Sequence, residues 1–241
     1  MHKPLLSGPA LVWISLTFLA ISTQAARADC VLAQKNIAVA RVVSKEAKLH
    51  YISGPRKGAP ECTSTANPCR LKTYLLPGDE VLTNATDDPY VCARFKSQSF
   101  VETMGWLPRT ALEIVSSERP SAQKWDGKWR RDSEAEIVLK SHGDEVTVSG
   151  NATWGASDPH RVKIGAINTG ELEGTFRPRD QLLAIGYEPD RSGFPPAEEA
   201  ATDICAAKLE LYDRYLIVED NERCGGLNVS FSGLYVRANS N

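Results

Sequence analysis

The sequence predicts an all-β protein built as two disulfide-stapled domains. Three observations predict it. Short β-branched and aromatic runs recur at near-regular spacing with Gly, Pro, Asn and Asp between them, which is the pattern of small sandwiches and barrels. Six cysteines fall as four in one stretch (Cys30, Cys62, Cys69, Cys92) and two in another (Cys205, Cys224), with a long cysteine-free interval between. They follow an apolar leader, and an even count behind a leader reads as disulfides formed in an oxidising compartment.

The leader occupies residues 1–28. Lys3 supplies its positive start, residues 10–21 its apolar stretch, and Ala26 and Ala28 the small residues of a cleavage site. The expected cut precedes Asp29, with cuts after Ala25 or Ala26 as alternatives. The apolar stretch is shorter than the about 20 residues a membrane helix needs, so a cleaved signal peptide is expected rather than an anchor. Removing Lys3 and Arg27 leaves 26 basic against 30 acidic residues, a net charge of −4 against −2 for the whole chain. Mild acidity argues against a nucleic-acid or anionic-membrane binder, which carries a basic stripe. No later segment approaches membrane-spanning length, so a soluble periplasmic or secreted protein is expected.

The first domain is placed at residues 36–116. Strands are expected over residues 38–43, 48–52, 71–75, 81–82, 90–95 and 105–107, with turns at Gly54-Pro55 and Pro77-Gly78-Asp79. Residues 117–124, rich in Ser and holding Pro120, read as a linker. The second domain is placed at residues 125–237, as an antiparallel barrel or sandwich. Its strands are expected over residues 136–140, 145–150, 182–187, 209–212, 215–218 and 227–232, the last presenting Leu227, Val229, Phe231 and Tyr235 to one side. Helix propensity is concentrated in residues 197–207. Cys205 and Cys224, isolated from the other four, are expected to pair and staple the last strands.

Three pieces of the first domain resemble a bacterial SH3-like domain in order. They are residues 47–55, with Leu49-His50-Tyr51 before Ser53-Gly54-Pro55; residues 74–81, with Pro77-Gly78-Asp79-Glu80-Val81; and Tyr90-Val91-Cys92-Ala93 followed by Gly105-Trp106-Leu107-Pro108 and Leu112. The resemblance covers about 70 residues. It implies a small barrel with a long variable loop over residues 56–70, closed by Cys62–Cys69, while Cys30 pairs with Cys92; four cysteines permit three connectivities. It also implies ligand recognition rather than catalysis, through a face of His50, Tyr51, Tyr90 and Trp106. Burial in the core is the competing fate of Trp106 and Tyr90. In the second domain, Gly127-Lys128-Trp129 is similar to the opening of calycin-type barrels, where the tryptophan plugs one barrel end.

Catalytic motifs are sparse. His50, His142 and His160 lack metal-ligand spacing. There is no nucleophile elbow and no phosphate loop, and no cofactor is expected. Glu134 and Glu136 would share a strand face, with solvated surface as the competing reading. Arg177 and Arg179, with Arg161 and Lys163 near in sequence, could fork onto a carboxylate or phosphate; the competing reading is a strand end or an ion pair with Asp180. The expected function is a non-catalytic binding protein of the bacterial envelope, with peptidoglycan or an envelope protein as partner. The alternative is a periplasmic inhibitor of a lysozyme-like hydrolase or a protease, acting through the Pro- and Glu-rich residues 188–203.

Overall fold

A computed structural model of the chain describes residues 30–32, 36–53, 69–86, 88–115, 120–186 and 204–238. The leader, Cys62, most of the 56–70 loop, the start of the linker and all of residues 188–203 lie outside them. The fold is all-β, in two antiparallel sheets.

The N-terminal sheet has seven strands: β1 (Ile37–Val42), β2 (Leu49–Ile52), β3 (Arg70–Leu75), β4 (Glu80–Asn84), β5 (Tyr90–Lys96), β6 (Glu102–Pro108) and β7 (Leu112–Val115). Their order is β3-β2-β6-β5-β4-β1-β7. Inward residues from all seven, among them Val42, Tyr51, Leu75, Val81, Val91, Leu107 and Leu112, form one buried cluster. A single sheet whose strands share one core wraps around it. Two-residue alternation decides which side chains enter. On β6, Gly105 and Leu107 turn inward and Trp106 outward. A Cβ on Gly105 would stand 2.8 Å from the Tyr51 ring. Tyr51, not Trp106, therefore fills the interior, and glycine is needed because the ring lies against the strand backbone. The Cys30–Cys92 disulfide ties the N-terminal segment to β5.

The second sheet has eight strands: β8 (Gly127–Arg130), β9 (Ala135–His142), β10 (Glu145–Trp154), β11 (Asn168–Phe176), β12 (Leu182–Ile185), β13 (Ala207–Tyr212), β14 (Tyr215–Asp220) and β15 (Gly233–Arg237). Each pairs with its sequence neighbour except β11 with β12, and β15 returns to pair with β8. This is an up-and-down meander, closed but for one seam. The interior is a packed core, with Trp125, Trp129, Ile137, Leu139, Leu172, Leu209, Leu216, Phe231 and Tyr235 in one cluster. The short helix α1 (Ala122–Trp125), which takes up the last residues of the expected linker, places Trp125 at the barrel end. Trp129 donates its indole N–H to the Trp125 carbonyl at 3.0 Å, and the Arg237 guanidinium lies 4.7 Å from the Trp129 ring centroid. The second helix, α2 (Pro159–Ile164), bridges β10 and β11; Asp158 caps it and Gly165 ends it in the left-handed region.

Two expectations are corrected here. Residues 227–232 are not a strand. Val229 and Phe231 are buried as expected, but Leu227 is exposed, because Asp220 draws the segment into another path. Its carboxylate accepts from the hydroxyls of Ser230 and Ser232 and from the Phe231 N–H, at 2.9, 2.6 and 2.8 Å. The strand begins at Gly233 instead. The helix expected over 197–207 fails where it is described: Ala207 opens β13, pairing with Asp220, since burial against a neighbouring strand outweighs alanine's weak helix preference.

The two sheets are joined by a third apolar cluster. Val39 and Leu82 from the first meet Tyr212, Tyr215, Leu234 and Val236 from the second. The Tyr215 hydroxyl donates to the Glu80 carbonyl at 2.6 Å, and burial pushes its ionisation up to about 12. Lys96, only 4% exposed, sits 3.6 Å from Glu102. Burial pulls its ammonium below the usual lysine range, while Glu102 and the barrel's Asp132 act against that.

Candidate binding surfaces

The first candidate surface is the outer face of the N-terminal sheet. Register pairs His50 with Tyr74, Ile52 with Trp106 and Tyr90 with Pro108, so these side chains emerge on one side. Ile52 and Cys69 form a small buried patch there, with Tyr90 and Trp106 packed against it, both half-buried. Beside it, the His50 and Tyr74 rings lie 5.4 Å apart, and the Lys48 ammonium stands 4.2 Å from the Tyr74 centroid. His50 Nδ1 is 2.8 Å from the Leu71 carbonyl. That oxygen can only accept, so Nδ1 carries a proton and donates it. Three of the four expected face residues, His50, Tyr90 and Trp106, thus share a face. Tyr51 does not; it is in the core, and burial raises its phenol well above the normal range.

Tyr74 and Lys48 were not readable as site residues from local sequence. The signal was the hairpin register, which puts Tyr74 opposite His50. Tyr74 is the most accessible ring of the group, at 44% exposure.

The second candidate surface lies at the barrel end opposite Trp125. The Cys205–Cys224 disulfide forms as expected, with Cα atoms 4.5 Å apart. Beyond it, Val229 N–H donates to the Gly226 carbonyl, Gly226 N–H to the Thr169 carbonyl, both at 3.0 Å, and the Asn168 side-chain amide to the Leu227 carbonyl at 2.6 Å. Gly225 bridges Gly170 on β11, so the segment covers part of the open seam. Glycine is required there: a Cβ on Gly170 would stand 2.3 Å from the Cys224 carbonyl. The result is a braced turn, with Asn228 at φ 67° and Leu227 at its tip, 79% exposed. A shallow cavity of about 390 Å³ is lined by Glu222, Gly225 and the residues through Ser230.

The other polar candidates do not converge. Arg177 pairs with Asp144 at 3.1 Å and Glu145 at 3.8 Å, not with Asp180. Arg179 makes a bridge with Leu182 across the β11–β12 turn. Arg161 lies 3.9 Å from the centroid of Trp154 at the far end of β10. A ten-residue strand separates them by about 30 Å, so the arginines form no common cluster. Glu134 precedes β9 and accepts from the Ser157 hydroxyl and N–H at 2.6 and 2.8 Å, which holds its carboxyl below the usual range. Glu136 pairs with Lys128 and Arg130. Among the described residues no group of His, Cys, Asp and Glu could hold a metal ion, and no helix is long and apolar enough to cross a membrane. Comparison with family profiles, characterised proteins and solved structures finds no match to this chain.

Proposed function

We propose that this chain is a non-catalytic binding protein of the bacterial envelope, periplasmic or secreted, whose N-terminal sheet recognises cell-wall material or an envelope protein. The observation that carries this is the grouping of Tyr74, His50 and Lys48 beside Trp106 and Tyr90 on one outer face. An exposed aromatic ring beside cations is a recognition surface, because the ring offers contact area at low entropic cost. The disulfides support an oxidising compartment. The SH3-like reading of the first domain is supported by its single wrapped sheet. The calycin-like reading of the second is supported by the eight-stranded meander and by Trp129 at the barrel end.

Co-sedimentation of the oxidised protein with purified peptidoglycan tests the wall ligand. The wild type should be retained, and Tyr74→Ala should cut retention at least fivefold with an unchanged thermal midpoint, since Tyr74 contributes little to the core. No retention of the wild type removes wall binding.

A second reading, inhibition of a lysozyme-like hydrolase or a protease, is favoured by Leu227 on its braced turn. The expected inhibitory segment, residues 188–203, lies outside the described residues. A protease cleft takes an extended chain, whereas the Gly226–Val229 hydrogen bond closes a tight turn, so the hydrolase is the better target. Stoichiometric suppression of lysozyme that Leu227→Asp abolishes would support it; no suppression at any ratio would remove it.

A further inference from the structure

The two edges of the N-terminal sheet are β3 and β7. Five of the six residues of β3 are exposed, Arg70 through Tyr74. One side of β3 pairs with β2, and among the described residues no strand pairs with the other. An edge strand offers a row of N–H and C=O groups to any extended chain, and most proteins blunt it. Here β3 sets the four steps from Tyr74 to Arg70 against the two from His50 to Ile52 on β2, so β3 bulges, and the His50 Nδ1–H bond to the Leu71 carbonyl ties the two strands together there.

Side chains and charge specify what such a chain would be. In the described parts of the β2–β3 region, exposed Lys45, Lys48, Arg70 and Lys72 face one carboxylate, Glu46. This local excess of three positive charges stands on a chain whose net charge is −2. Alternation sends Arg70, Lys72 and Tyr74 to the outer face and Leu71 and Thr73 to the other. A strand added beside β3 would therefore meet two cations, Arg70 and Lys72, and the Tyr74 ring on one face, and Leu71 and Thr73 on the other.

We infer that β3 is a strand-addition site for an extended acidic peptide segment of a protein partner, with carboxylates alternating with apolar residues. The main-chain ladder supplies attraction without regard to sequence, and the alternate pockets supply the preference. Charge complementarity selects the acidic strand and speeds its encounter. The inference rests on the reading of this sheet as the recognition module, and names the partner's chemistry.

The test uses the full oxidised protein and two capped decapeptides, one alternating Glu and Val, the other Lys and Val. Affinity is read by titration calorimetry at two salt concentrations, and backbone protection by hydrogen exchange. The acidic peptide should bind at least tenfold more tightly than the basic one, weaken with salt, and slow exchange in residues 70–75. The double variant Arg70→Glu, Lys72→Glu should reverse the preference while keeping the thermal midpoint. Equal affinity for both peptides, no binding of either, or protection elsewhere would overturn strand addition. So would binding of polygalacturonate without binding of the peptide. Failure with both peptides but retention on peptidoglycan would discard the peptide site alone; failure of both would discard the recognition module as well.

Discussion

Replacing Trp129 with alanine should cost the folded protein about 4 kcal/mol, the range seen when a large aromatic is deleted from a packed core. Trp129 is fully buried and sits where the first strand of the barrel meets the last. Its ring packs in the barrel cluster, its N–H satisfies the Trp125 carbonyl, and Arg237 covers it from outside. Arg237 is held in turn by a hydrogen bond to the Lys124 carbonyl at 2.5 Å. Gly127 has φ 143°, and a Cβ there would stand 3.3 Å from the Arg237 side chain. Deleting the indole therefore leaves a cavity, an unsatisfied carbonyl and an arginine without its stacking surface. Urea unfolding followed by far-UV circular dichroism should show the midpoint falling sharply, with Trp129→Phe intermediate. A loss below about 1 kcal/mol would mean that the barrel end closes without this plug.

How much of this was legible in the sequence follows from which interactions are local. The β13–β14 hairpin was readable because Asp213-Arg214 forms a two-residue loop between apolar runs, and Asp213 takes φ 51°. The β9–β10 turn was readable at Gly143 for the same reason. The Cys205–Cys224 bond followed from the isolation of the two cysteines. β11 was not readable, because Gly170 and Gly174 occupy positions that alternate with Leu172 and Phe176, so the apolar period is broken. α2 was missed although its signals were present: an Asp at the cap, Pro159 in the first turn and Gly165 after the last, the usual asymmetry of helix ends. The candidate site was half legible. His50, Tyr90 and Trp106 announced themselves as strand aromatics. Which face each would take depended on pairing register, and the same dependence sent Tyr51 inward and brought Tyr74 to the surface. The turn bearing Leu227 was hidden because the Ser230 and Ser232 contacts to Asp220 reach back ten and twelve residues.

Tyr215→Ala should remove about 3–5 kcal/mol and split the unfolding of this protein into two transitions. The ring is fully buried between the sheets, packed with Val39, Leu82, Tyr212, Leu234 and Val236. Its hydroxyl bonds the backbone of β4, and Arg214 beside it lies 5.8 Å from the Phe95 ring centroid. An apolar cluster of this kind makes two domains unfold as one, whereas polar and sparse interfaces leave them independent. Scanning calorimetry of the wild type should give one transition whose calorimetric and van't Hoff enthalpies agree. Tyr215→Phe should keep it single and lower stability by about 1 kcal/mol, the net value of one hydrogen bond. In Tyr215→Ala the N-terminal sheet, held by Cys30–Cys92, and the barrel, held by Cys205–Cys224, would melt separately. A single transition in the alanine variant would mean that Lys96 and its carboxylates, rather than the apolar cluster, couple the sheets. Lys96→Met would then be the variant that uncouples them. Coupling also bears on the proposed recognition: the barrel packs on Val39 of β1 and Leu82 of β4, distant in the sheet order from β3, so it can brace the first sheet without packing on the edge proposed to bind.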